Sequence, residues 1–559
     1  MSSLNRKYSL IHKSKILNYS IFIFFVVYFF IGLNIYKHYG ITTDEPFQRT
    51  SGFYWYLWII NNFFSESSNL AGIKNSFSSM EWSQEMVKGK FLEYGVIFDL
   101  FAVYLENILN IQNSHDVYHL KHFLNFFIFF ISSIFFFYLI KFRFKNNFLA
   151  LVGVLFYVTS PRIFAESFFN SKDIIFMSFV VIAIFFALKT LKKFKIKNII
   201  FFALFSAFST DVRSMGIFLL LLFSIFFILE SIEIKDFFRK KIKFLLLTFL
   251  LYFLFTYAFW PYLWLDPINN FFVSFKSFKN YGWGGSIFYL GDYVSAQRLP
   301  WHYIPIWITV SNPIIYSLLI FSGIYIIFNK FFSNFLKISS DNLTQKIWNN
   351  YNEKVDFFIL LFFLGPLIAV IVFNSTLYNG WRHLYFVYPS LIYLIVFSLN
   401  HILNIINKEI SFNFLIIVIF FSIFINIFNI IKLHPYQNIY FNFLVEKKAN
   451  DLFEIDYWGS GNAYAIKKIL NEISDDEKIS IRTGSFTPLK YSVHIVDNKK
   501  LKNVTFSGNE ELNQNYFFTN YIYEKNPKSL KKYFIPKNYE KIFTLKRGNI
   551  IINEIYKKK

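Results

Sequence analysis

The chain predicts an α-helical polytopic membrane protein of about eleven transmembrane helices, with a small external α/β domain at its C-terminus. Three observations predict it. Of 559 residues, 55% are hydrophobic, with 80 Phe and 37 Tyr, and the mean hydropathy is +0.38. A soluble chain this apolar would expose large sticky patches. The apolar residues are gathered into runs near bilayer length, about 20 residues, separated by short basic loops. Beyond residue 432 hydrophobicity falls, and the pattern changes to short strands and one amphipathic helix. The net charge of +22 sits mostly in loops and tail. There it sets orientation and meets anionic headgroups, so membrane lipids are expected as partners and nucleic acid is not. No cysteine occurs, which excludes disulfides, thiolate zinc sites and cysteine nucleophiles.

The first run, 16–36, follows Arg6, Lys7, His12, Lys13 and Lys15. That basic flank keeps the N-terminus in the cytoplasm, and with no small-residue cleavage site the run is expected to stay as a helix. A long external loop, 37–118, follows. Its segments 53–58 and 86–109 carry the Trp and Tyr that favour the membrane interface. Further runs are 119–140, 148–164 and 174–188. Basic Lys141–Lys145 and the five lysines of 189–197 mark cytoplasmic loops. The run 199–229 is too long for one crossing. It is split at Thr210-Asp211-Val212-Arg213, because a charge at a helix centre costs roughly 2.5–3.5 kcal/mol. Crossings at 244–259, 304–328, 357–373, 384–397 and 414–431 complete the count. An odd number places the C-terminal domain, 433–559, on the outer face. In it, 478–482 and 516–521 read as strands and 463–473 as a helix with Ala465, Ile466, Ile469 and Leu470 on one face. No fixed-period repeat occurs.

This topology gathers particular charges at the outer helix ends: Asp44 and Glu45; Arg162, Glu166, Lys172 and Asp173; Asp211 and Arg213; Arg298 and His302; Arg382 and His383. Carboxylates beside several cations at a headgroup plane suit transfer of a group from a lipid phosphate to an acceptor hydroxyl. Cations would hold the leaving phosphate, and a carboxylate would take the acceptor's proton. Each also has a simpler use. Arg and Lys at helix ends snorkel, and Asp211 and Arg213 could pair with each other across their turn. His302 and His383 follow tryptophans and belong to no cluster at ligand spacing, so no metal site is assigned. Adjacent Asp44 and Glu45 could bind a divalent cation, but hard cations want more oxygen ligands than one loop offers. No other cofactor is indicated. The glycine-rich stretch 281–285 lacks the Lys-Ser/Thr and following helix of a phosphate loop.

Four motifs occur in order: Thr43-Asp44-Glu45-Pro46, Ser160-Pro161-Arg162 through Lys172-Asp173, Trp260-Pro261-Tyr262-Leu263-Trp264, and Asn379-Gly380-Trp381-Arg382-His383. With Asp456-Tyr457-Trp458-Gly459 in the tail, this set resembles bacterial membrane glycosyltransferases of the GT-C class, related to the dolichyl-phosphate-mannose–protein mannosyltransferases (glycosyltransferase family 39). The resemblance implies a GT-C-like transmembrane domain over 1–432 in a bacterial inner membrane, with 433–559 periplasmic. It also implies a polyprenyl-phosphate-linked sugar donor and single displacement with inversion on the periplasmic side. Asp44 maps onto the catalytic base, with Glu45 beside it. Arg162, Glu166, Lys172 and Asp173 map near the donor phosphate, and Arg382 maps as a donor-site cation; Arg213 and His383 join them by position. The soluble repeat domain of eukaryotic protein mannosyltransferases is not recognisable. The acceptor is therefore left open among lipid, glycan and protein. Two other classes compete: a flippase for lipid-linked glycans, and a glycan polymerase or ligase.

Overall fold

The computed structural model describes residues 15–64, 92–234, 236–279, 282–336, 347–406, 408–507 and 514–559. Arg6, Lys7, His12, Lys13, positions 86–91 and Tyr281 lie outside the described residues. Helix α1 (Lys15–Ile35) buries only Leu17, Tyr28 and Gly32, leaving Phe22, Ile23 and Phe30 outside. Such a helix needs an apolar surround, which a bilayer provides.

The loop 37–118 holds α2 (Glu45–Phe63) and α3 (Ile97–Ile108). Helix α3 buries Asp99 and Glu106 beside Phe98, Ala102 and Val103, while Phe101, Tyr104 and Ile108 are exposed. Ion pairs permit this, Arg49 with Glu106 and Lys121 with Asp99. The outward apolar face suits the headgroup boundary.

Helix α4 (Ser114–Phe144) starts five residues ahead of the run expected at 119–140, and neighbouring elements satisfy the Lys121 and His122 side chains buried in its early turns. The single crossing expected at 148–164 is instead α5 (Asn147–Thr159) and α6 (Pro161–Phe169), bent by 67°. Proline cannot continue the hydrogen-bond ladder and drives the residue before it out of helical geometry; Ser160 has φ −67° and ψ 119°. Helix α7 (Asp173–Lys192) is the centre of the bundle, with 94% of its apolar window buried. The 199–229 run splits as expected into α8 (Ile196–Val212) and α9 (Ile217–Glu233). Helices α10 (Phe237–Phe259) and α11 (Pro267–Lys279) lead to a hairpin of β1 (Ser286–Tyr289) and β2 (Asp292–Ser295). The crossing expected at 304–328 is broken at Pro313 into α12 (Tyr303–Val310) and α13 (Ile314–Leu336). Then come α14 (Tyr351–Val372), the 3-10 turn Arg382–Val387 running into α15 (Tyr388–Ile405), and α16 (Glu409–Leu433). Among the described residues nine helices are long and apolar enough to cross a membrane, or ten with the bent pair. Helix α8, at 17 residues, is the further crossing counted from the sequence.

In the tail, α17 (Asn462–Leu470) precedes β3 (Ile479–Thr483), β4 (Val504–Ser507), β5 (Tyr516–Thr519), β6 (Tyr539–Arg547) and β7 (Ile550–Lys558). They form one sheet in the order β4-β3-β5-β7-β6. Strand β3 runs parallel to both neighbours, and the β5–β7 and β7–β6 pairs are antiparallel. The expected apolar face of α17, Ala465, Ile466, Ile469 and Leu470, is buried in this unit's core. Tail and bundle are stitched together. The Ser286 N–H donates to the Glu524 carbonyl at 2.8 Å and the Thr43 N–H to the Trp458 carbonyl at 3.0 Å. A Cβ at Gly40 would stand 2.7 Å from the Ser460 carbonyl oxygen, so this approach requires glycine.

Candidate active site

The loop leaving α1 turns at Gly40 into Thr42-Thr43-Asp44-Glu45. Asp44 is the N-cap residue of α2 and Pro46 lies in its first turn, a position where a missing N–H is harmless. The two carboxylates then part. Glu45 is 1% exposed. Its Oε2 accepts from the Thr42 N–H (2.7 Å) and hydroxyl (3.0 Å), and its Oε1 lies 3.0 Å from His122 Nε2. Asp44 keeps a side chain 39% exposed, and its Oδ2 accepts from Arg382 Nη1 at 2.9 Å. The pair therefore does not converge as joint ligands for one cation.

Arg382 is the hub. Its side chain is 5% exposed, and its guanidinium lies between the Trp458 and Tyr378 rings, 4.6 and 5.1 Å from their centroids. Besides Asp44 it faces Asp173 Oδ2 at 3.8 Å. Asp173 Oδ1 pairs with Arg213. The turn before α7 is built by Asn170, whose Oδ1 accepts from the Asp173 N–H at 2.8 Å. Its amide donates to Asp173 Oδ2 (3.1 Å) and Glu166 Oε2 (2.8 Å). The Lys172 ammonium reaches the Gly95 carbonyl at 3.4 Å and lies over the Tyr94 ring. Burial pushes its pKa down, and nearby Asp99, Asp211 and Asp173 oppose that push.

The remaining residues singled out in the sequence take other places. Glu166 is fully buried and accepts from Tyr385 (2.8 Å) and Tyr457 (3.3 Å). Arg162 donates to the Tyr440 carbonyl at 3.0 Å and lies against the Trp307 and Phe441 rings. This pair knits the bundle to the segment entering the tail. His383 meets the Tyr378 ring edge-on at 4.6 Å. Asp211 does not pair with Arg213: it accepts from the Ile97 N–H at 2.9 Å. Arg298 is exposed, and His302 bonds Tyr289 at 2.7 Å. Neither contacts the Arg382 hub.

Sequence reasoning missed several members of the site. Trp458 was singled out only within a tail motif. Asp99 and Lys121 form a buried pair at 2.9 Å beneath the Asp44 loop; lysine and histidines inside an apolar run were the available signal. Glu454 is buried, with Oε1 accepting from the Phe288 N–H at 3.3 Å. Burial raises its pKa to about 8, against the Phe288 hydrogen bond and the Arg382 charge. Nothing in the sequence around Glu454 distinguishes it from an ordinary surface acid.

Comparisons with known proteins agree with part of this picture. No curated protein sequence matches the chain. Solved structures that match include ArnT from Cupriavidus metallidurans bound to undecaprenyl phosphate, at 10% identity and TM-score 0.42 over 95% of this chain and 97% of that one. The same protein in the apo state matches at 10% identity and TM-score 0.43 over 90% and 93%. The model of the dolichyl-phosphate-mannose-protein mannosyltransferase family matches residues 121–260, a span that holds Arg162, Glu166, Lys172, Asp173 and Arg213. The family that the ordered motifs resemble is the one whose model matches residues 121–260.

Proposed function

We propose that this protein is a membrane glycosyltransferase that moves a sugar from a polyprenyl-phosphate donor to an acceptor hydroxyl, with inversion, on the periplasmic face. The observation that carries the reading is the Asp44–Arg382–Asp173–Arg213 chain: an accessible carboxylate tied to a buried guanidinium, with a second, partly buried one beyond it, at one end of the bundle. The family match over residues 121–260 supports the choice of a polyprenyl-phosphate sugar as donor.

The acceptor oxygen attacks the anomeric carbon while the carbon–oxygen bond to phosphate breaks. Asp44 takes the hydroxyl proton as the new bond forms, a contribution of roughly 10²–10⁴-fold. Arg382 turns its planar fork from Asp44 to the departing phosphate, and Arg213 and Lys172 add charge on the same side. One displacement with the base opposite the leaving group inverts the anomeric centre. Glu45, saturated by Thr42 and His122, holds the loop and is a positioning residue. Glu166 and Arg162 act likewise from behind the donor site. Buried polar atoms are normally satisfied, yet Arg382 Nε, Arg213 Nε, Asp211 Oδ2 and His383 Nδ1 have no hydrogen-bond partner among the described residues. Such atoms around the hub suit a site that completes itself on a polar ligand.

The test is sugar transfer by purified protein in nanodiscs, with radiolabelled polyprenyl-phosphate sugars and a membrane extract as acceptor source. Transfer by the wild type that is lost in folded Asp44→Asn is expected. Movement of lipid-linked sugar across liposomes with no transfer would overturn the reading in favour of a flippase. Transfer only from oligosaccharide-linked donors would favour a polymerase or ligase.

A further inference from the structure

The first two turns of α4 carry His115, Asp116 and His119, and the glycosyltransferase chemistry uses none of them. Residues four apart on a helix share a face, and the two imidazoles meet edge to face with centroids 4.1 Å apart. His115 Nδ1 is 3.2 Å from Asp116 Oδ1. One ligand atom from each of the three residues can be chosen so that all lie within 4.8 Å of one another. His119 is 5% exposed, and its buried Nδ1 has no hydrogen-bond partner among the described residues. His115 and Asp116 keep side chains 39% and 53% exposed, so the group is closed on one side and open to solvent on the other.

We propose that His115, Asp116 and His119 form a binding site for a late first-row divalent cation, zinc first. Two imidazoles and one carboxylate are a ligand set for such ions, and a fourth position is left to water. Ligand atoms about 2.0–2.1 Å from a tetrahedral zinc stand about 3.3 Å apart, close to the His115–Asp116 separation. The other close histidine pair does not fit. His38 Nδ1 and His434 Nε2 are 2.7 Å apart, the spacing of a hydrogen bond between them. A nearby cation, Lys37, is exposed and rests over the Tyr36 ring, free to swing away.

The place gives the ion a purpose. Directly after His119, Lys121 and His122 hold Asp99 and Glu45, and Ser114 donates to the His494 carbonyl of the tail at 3.0 Å. An ion clamping the start of α4 steadies the joint between the Asp44 loop and the tail. This inference does not depend on the sugar-transfer reading.

The test uses full-length protein carrying no histidine tag, stripped with EDTA and titrated with Zn²⁺. Bound metal is counted after gel filtration, and melting is followed with and without the ion. One zinc per chain and a higher melting temperature are expected. His115→Ala and Asp116→Asn, at a half-buried and an exposed position, are expected to melt like the stripped wild type without zinc, while their affinity falls by roughly 100-fold. Unchanged affinity in both variants would overturn the proposal. So would loss of the zinc in His38→Ala, which would place it at the His38–His434 pair, and so would no stoichiometric zinc in the wild type.

Discussion

Two buried charge networks stand at opposite ends of one helix, and they are built differently. At the far end of α4, about 30 Å from Lys121 at the helical rise of 1.5 Å per residue, Arg143 grips Asp356 with two bonds of 2.7 and 2.5 Å. Tyr393 adds a third at 2.5 Å, and Lys354 pairs with Glu230 alongside. Arg143 and Asp356 saturate each other and leave no open oxygen. The Asp44–Arg382 network is looser: one bond joins the pair, Asp44 is partly exposed, and Arg382 Nε is unsatisfied. A saturated network fixes three helices. An unsaturated one of the same residue types is available to a ligand.

The contrast can be broken or sharpened by substitution. The largest effect belongs to Asp44→Asn, which should cut sugar transfer by about 10²–10⁴-fold with an unchanged melting temperature. Arg382→Lys keeps the charge and loses the planar fork; kcat/KM for the donor should fall about 10²-fold in the same assay. At the closed end, Asp356→Ala strands the buried Arg143 charge. It should cost about 3–5 kcal/mol of stability in denaturation measurements while leaving activity per folded molecule intact. Loss of activity without loss of stability there would end the distinction between the two networks.

A smaller effect concerns pH. Folding raises the Glu454 carboxyl from its ordinary 4.5 to about 8, so the folded protein keeps a proton that the unfolded chain releases. Stability from this group is therefore greatest below about 4.5 and declines as pH rises toward about 8. Glu454→Gln should flatten that limb of a melting-temperature profile and leave the acid side unaltered.

Much of the bundle was legible because hydropathy and loop charge act locally. The break at Asp211 was visible in the sequence as a charge in an apolar run. The bends at Pro161 and Pro313 were also written there, yet both runs were long enough to read as single crossings. The site was half legible. Asp44, Asp173, Arg213 and Arg382 were all singled out, but no local pattern pairs residues 338 positions apart, as Arg382 and Asp44 are. Adjacent Asp44 and Glu45 look equivalent in sequence. His122 and Thr42 separate them in space, and the histidines of α4 were not singled out in the sequence.

The sequence by itself determined that the chain crosses a membrane many times, where most crossings fall, and that a small α/β unit closes it. Those outcomes follow from transfer of apolar segments out of water, which each segment undergoes largely on its own account. Only the tertiary structure decided which carboxylate stays open, which arginine holds it, and that Trp458 of the tail closes over the pair. Those outcomes rest on burial and on directional hydrogen bonds between distant segments, and both exist only once the helices have packed.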